Sequence, residues 1–272
     1  VADPGRLQEL VAGLHERLDN FAMREAAAEL GMIGAWPMYA SQLLPYGASE
    51  EDLRDLTERF GPQAYLKLKK CRISCPSCFL ADKDELYLPS TGETVYSTSF
   101  LNAAIIGCAL LMRDAEEAAS ALALLDDLGL DFMTLSWQAA FLLELQEQGV
   151  ISEEDAEGIP LERGAAILRE LAARVTERKG EIGEHFARGW RGAFELFGED
   201  TRRYALLIRD QDCLYDPRVS GLGTMEFEQI VSPRGPTSAS AGSATYVPGL
   251  PEERLRRLTE RMGGGEEALG RI

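Results

Sequence analysis

The sequence has 272 residues, 45% of them hydrophobic, and 45 acidic against 28 basic side chains give it a formal net charge of -17. Such a chain is long enough for a sizeable core, and its charge opposes phosphate backbones and anionic lipid heads. Nucleic acid and membrane surfaces are therefore excluded as partners, leaving small molecules or proteins.

In chain order, Leu7, Leu10, Val11, Leu14, Leu18 and Phe21 recur at spacings of three and four, which predicts a helix opening after Asp3-Pro4. Ser49 followed by Glu50, Glu51 and Asp52 predicts a capped helix with Leu53, Leu56 and Phe60 on one side, stopping at Gly61-Pro62. The longest apolar run, Phe100 to Met112, is broken by Asn102 and Gly107 and falls short of the roughly 18 residues that a membrane span needs. Asp114-Ala115-Glu116-Glu117 reads as a variant capping box for a helix ending near Gly129. Ser152 to Asp155 starts a turn or short helix, and Leu168, Leu171, Ala172 and Val175 mark another helix. Phe186, Trp190, Ala193, Phe194 and Phe197 mark a further one. Arg202 to Ile208 reads as extended, Ser232 to Gly249 as loop, and Pro251 to Met262 as a last amphipathic helix. Two-residue alternation is nearly absent, so the expected fold class is all-α: multihelical, in two parts, with little strand. The parts are 1–200, a helical domain, and 201–272, the start of a second, truncated domain.

Three of the five cysteines fall within eight residues, Cys71, Cys75 and Cys78. This is no secreted disulfide framework; it points to a reducing cytoplasm and a metal. Three thiolates so spaced can hold three corners of one [4Fe-4S] cubane while a distant residue supplies the fourth. The cluster reads as a loop, because Pro76 stops a helix, and Lys69, Lys70 and Arg72 beside it are expected to lower the thiol pKa values. Zinc competes for the same thiolates but wants four ligands, and His15, His185, Cys108 and Cys213 are isolated from one another. A radical S-adenosylmethionine loop shares the spacing, yet the alternating strands and helices of its barrel are missing. His15, His185 and Cys108 lie in helical or apolar patterns and read as packing residues, as do Trp190, Phe194 and Phe197.

Leu124-Leu125-Asp126-Asp127-Leu128-Gly129-Leu130-Asp131 resembles the Asp-x-x-Gly-Leu pterin motif of tungsten-dependent aldehyde ferredoxin oxidoreductases. The resemblance extends from the opening Val1-Ala2-Asp3-Pro4 and the Cys-Pro cluster through Gly149-Val150-Ile151-Ser152 and Ile182-Gly183 to Tyr215-Asp216-Pro217-Arg218, covering most of residues 1 to about 235. It implies a mainly helical chain beside a [4Fe-4S] cluster and a tungsten, or molybdenum, bis-pterin. It also implies that Asp126, Gly129, Leu130 and Asp131 approach one pterin, although a plain helix cap explains Gly129 without a ligand. By the same resemblance Glu93, in Gly92-Glu93-Thr94, is the candidate acid/base, a role that wants partial burial; a solvated loop glutamate is the alternative.

The implied activity is oxidation of a small aldehyde to a carboxylic acid, with electrons passing to ferredoxin or another carrier, and a homo-oligomer is possible. Two departures qualify it: the cysteine spacing is three-then-two where the family commonly has two-then-three, and Ser238 stands where the family places a histidine. Low-potential reduction of an aromatic acid thioester therefore stays open, as does a non-catalytic helical scaffold holding a cluster or zinc. The start lacks an initiator Met, so the expectation is an excised fragment, without the family's N-terminal domain and final cysteine motif and inactive alone.

Overall fold

Helix α1, Pro4–Asp19, begins where Asp3 Oδ1 accepts from the Arg6 amide at 2.9 Å and Pro4 occupies the first turn. Its apolar stripe has the expected period, yet Leu7, Leu10, Val11 and Leu14 remain 43–55% exposed. The computed structural model describes residues 3–20, 24–41, 49–76, 81–97, 100–213, 235–236 and 252–261. The chain forms two compact units, Val1–Leu206 and Leu207–Ile272.

The first unit is mostly helical. After α1 come α2 (Arg24–Leu30), a 3₁₀ turn, α3 (Trp36–Ser41), α4 (Glu50–Phe60) and α5 (Pro62–Leu66). The α4 cap is a full capping box: Ser49 Oγ accepts from the Asp52 amide at 3.1 Å, and Asp52 Oδ2 accepts from the Ser49 amide at 2.7 Å. Gly61 closes α4 and Pro62 opens α5, as the sequence pattern implied. A sheet follows, and then α6 (Phe100–Ala109), α7 (Ala115–Leu128), α8 (Phe132–Glu147), α9 (Ala165–Glu177), α10 (Gly180–Phe186) and α11 (Trp190–Phe197). Among the described residues no helix is long and apolar enough to cross a membrane.

These last six helices bury the core. Ala103, Ala104, Ala118, Ala139, Ala172 and Ala193 are fully buried beside Leu125, Leu142, Leu145 and Leu171, so small side chains at the contacts let the backbones approach. Phe141, Trp190 and Phe194 form an aromatic cluster with ring centroids 5.5–6.0 Å apart. The readings of Trp190 and Phe194 as core hold.

The structure corrects four local expectations. Residues read as free of strand form an antiparallel sheet of β1 (Lys69–Ile73), β2 (Lys83–Leu88) and β3 (Glu93–Ser97). Its inward face carries the buried Leu86 and Leu88, with Tyr87 pointing out between them, too short an alternation to stand out. The single helix expected across Phe186 to Phe197 is two, because Gly189 adopts φ +68° between them. Glu199–Tyr204 is a 3₁₀ turn, and only Leu207–Ile208 (β4) is extended, paired with Gln211–Asp212 (β5) in the second unit. That unit also holds α12, Glu252–Arg261, inside the predicted last helix. The fourth correction concerns the cysteines and is taken up below.

The α10–α11 turn packs with no spare room. A Cβ at Gly192 would run into the His185 carbonyl oxygen, which is backbone and cannot step aside. Gly192→Ala is therefore expected to lower stability by roughly 1–3 kcal/mol, read as a reduced denaturation midpoint in urea.

Candidate functional site

Cys71 lies in a strand at the edge of the sheet, whereas Cys75 lies in the loop that follows it. The sheet order is β1-β2-β3, so β1 is an edge strand and Cys71 is its third residue. Cys71 and Cys75 are both exposed free thiols, and Cys78 falls outside the described residues. Among the described residues no group of three or more His, Cys, Asp or Glu side chains is gathered for a metal. The part of the donor set that is described, two accessible thiols four residues apart with no disulfide, fits a thiolate-ligated cluster.

The electrostatics around Cys71 reverse the expectation. Its Sγ donates to Glu85 Oε2 at 3.1 Å while Lys70 Nζ donates to Glu85 Oε1 at 2.6 Å. The hydrogen bond to Glu85, then burial, push the Cys71 thiol up, outweighing Lys70. Glu85 is held below the usual carboxylate range by Lys70 first and Cys71 second. Lys69 is diverted too, its Nζ 2.6 Å from Asp84 Oδ1 and donating to the Glu29 carbonyl at 2.8 Å. Lys69 and Lys70 are spent on carboxylates that the sequence places more than ten residues away. Cys108 is of another kind: burial pushes its thiol up to about 12, in keeping with a packing residue.

Glu93 opens β3 just after the turn that joins it to β2, where Gly92 takes φ +73°. Ser90 N donates to Glu116 Oε1 at 2.6 Å, tying that turn to the first turn of α7. Glu93 itself is exposed, so the described residues of this chain do not supply the partial burial that an acid/base role wants.

The Asp126–Asp131 stretch is the junction of α7 and α8. Gly129 ends α7 at φ +67°, with Leu130 N donating to Leu125 O at 2.9 Å and Gly129 N to Asp126 O at 3.1 Å. Asp131 then caps α8, its Oδ1 accepting from the Thr134 amide at 2.8 Å. Both halves of the motif thus have structural work, and the junction is open as well: Asp126, Gly129 and Asp131 are exposed, and no atom lies within 4 Å of a Cβ built on Gly129. Asp126 is raised above the usual range, by burial first and by Asp127 second. Ser238 lies outside the described residues. His185 Nδ1 sits 3.2 Å from the Gly192 carbonyl oxygen and 2.7 Å from Arg188, which are packing contacts. Glu85 was missed in the sequence; only its place opposite Cys71 reveals it.

The first unit is thus a mostly helical domain with a small antiparallel sheet that carries an exposed cysteine on its edge strand. The profile of the family described as "Aldehyde ferredoxin oxidoreductase, domains 2 & 3" matches residues 9–267, and the chain belongs to that family of oxidoreductases. A protein of Pyrococcus abyssi (strain GE5 / Orsay) named tungsten-containing aldehyde ferredoxin oxidoreductase is 25% identical over 231 residues, covering 80% of this chain. The chain spans 37% of the length of that relative. Among solved structures, the active site complex BamBC of benzoyl coenzyme A reductase with 1,5-dienoyl-CoA is similar at a TM-score of 0.49 and 21% identity, over 60% of this chain and 24% of that one.

The raised Cys71 thiol makes a kinetic prediction. At mildly alkaline pH less of it is thiolate than in an ordinary cysteine, so it alkylates slowly. Glu85→Gln should speed iodoacetamide labelling of Cys71 several-fold, followed by peptide mass spectrometry, while Cys108 stays unlabelled until the protein is denatured.

Proposed function

We propose that the chain supplies the cluster-binding and pterin-facing helical part of an enzyme that oxidises an aldehyde to a carboxylic acid, passing electrons to ferredoxin or a similar carrier. Membership of the family supports this reading, together with the name of the Pyrococcus relative. The observation that carries it is the exposed Cys71 on an edge strand with exposed Cys75 just beyond the strand's end, where a cluster would lie open to a carrier. When bound, the tungsten or molybdenum bis-pterin and the [4Fe-4S] cluster would supply the redox chemistry.

The remaining tasks fall to this chain's side chains. Cys71, Cys75 and Cys78 would ligate three corners of the cluster as thiolates. Gly129 and Leu130 would let backbone approach a pterin edge, since glycine has no Cβ there to hold a ligand off. Asp126, and the Asp131 oxygen not used in capping, would accept hydrogen bonds from pterin nitrogens. Glu93 would take the proton as water adds to the carbonyl carbon, its burial completed by parts of the enzyme other than the described residues.

Anaerobic reconstitution tests the cluster. Iron, sulfide and zinc are measured, and the reduced protein is examined by electron paramagnetic resonance beside Cys75→Ser. The expected outcome is about four iron per chain in the wild type and loss of the signal in the variant; zinc bound tightly without iron overturns the assignment. In the active enzyme Glu93→Gln should lower kcat by about 10²- to 10⁴-fold if Glu93 moves the proton, and a kcat equal to wild type removes it from that role.

A further inference from the structure

β1 has one irregularity, and it falls beside the candidate cluster ligand. Lys69 pairs with Leu86 and Cys71 with Glu85, so Lys70 is the extra residue of a β-bulge. A regular ladder continuing from the Lys69–Leu86 pair would set Cys71 opposite Asp84, on the pleat that faces inward with Leu86 and Leu88. The bulge turns Cys71 outward instead and brings both Lys70 and Cys71 onto one carboxylate. Glu85 is thereby an acidic side chain only 11% exposed on the outward face of the sheet, with one oxygen on an ammonium and the other on a thiol. Its other neighbour in register, Tyr96 on β3, is 57% exposed, so this covering is local to the bulge.

A carboxylate so far removed from water has to be paired, and Lys70 supplies the charge. Lys70 and Glu85 therefore hold each other in place, and together they put a carboxylate within a hydrogen bond of the Cys71 sulfur and an ammonium on that carboxylate's other oxygen.

We propose that Glu85 is a positioning residue for the cluster site: opposite the β1 bulge it orients Cys71 and anchors the Lys70 ammonium beside it, and this ion pair sets the reduction potential of the bound cluster. The proposal rests on the cluster reading given above. When Cys71 ligates iron its proton leaves to solvent, and a thiolate can no longer donate to Glu85, which is then held by Lys70 alone. Reduction adds one electron, supplied by dithionite in the test, to an already anionic cluster. A neighbouring carboxylate opposes that step and a neighbouring ammonium favours it, whichever carrier accepts the electron afterwards.

The test is a redox titration of the reconstituted protein, monitored by electron paramagnetic resonance, for wild type, Glu85→Gln, Lys70→Met and the double variant. Glu85→Gln should shift the midpoint upward, Lys70→Met should shift it downward, and the double variant should return toward wild type. Midpoints equal to wild type in both single variants, or shifts of the same sign, overturn the proposal while leaving the cluster assignment intact. Should Glu85→Gln take up no iron, Lys70→Met decides: a lower midpoint supports the proposal and an unchanged one overturns it. Wild-type protein that takes up no iron overturns the cluster reading and this inference together.

Discussion

Close approach of helix backbones is the constraint on which the first unit depends. Between α6 and α11 the contacts are lined by alanine and glycine, and at Gly183 and Gly192 a single added carbon would strike a backbone carbonyl of the adjoining segment. Interiors packed to crystal-like density leave no slack for such a carbon. Phe60 fits against Gly107 for the same reason, which fixes α4 against α6. The sheet leans on this frame through Leu86 and Leu88, and the Ser90–Glu116 hydrogen bond ties the β2–β3 turn to α7. The cysteine strand and the α7–α8 junction thus belong to the same compact unit.

Charge near the cysteines shows how position overrides composition. Four cations between Lys67 and Arg72 suggest a positive setting for thiolates. Folding brings Asp84 and Glu85 across from β1, and these carboxylates claim Lys69 and Lys70. The Cys71 thiol then meets a carboxylate before it meets a cation, so its proton is held more tightly without metal. In the proposed function, ligation of a cluster by Cys71 would displace that proton and so link uptake to the Glu85 contact.

The α7–α8 junction has a capping role and, in the proposed function, a ligand-facing one on the same residues. Gly129 is needed as a left-handed cap and Asp131 as the cap of the next helix, whatever else they contact. A structural cap and a ligand-facing turn are compatible, because the cap engages the Gly129 and Leu130 amides and one Asp131 oxygen while leaving the Cβ-less face of Gly129 open. The exposure of Asp126 and Gly129 leaves that face free for the contact which the family resemblance implies.

Local pattern was enough to determine the helical class, the helix caps at Ser49 and Asp114, the stop at Gly61-Pro62 and the family itself. Those signals lie within a few residues of one another or in a linear motif. What only the tertiary structure decided is whatever depends on partners distant in sequence. The sheet was hidden because its ladder joins Lys69–Ile73 to Lys83–Leu88 across a gap and only two of its leucines face the core. The break at Gly189 was hidden because helical spacing runs through it unchanged. Glu85 was invisible because its meaning lies in register: one bulged residue decides which side chain faces Cys71, and register is set by pairing between strands, not by either strand alone.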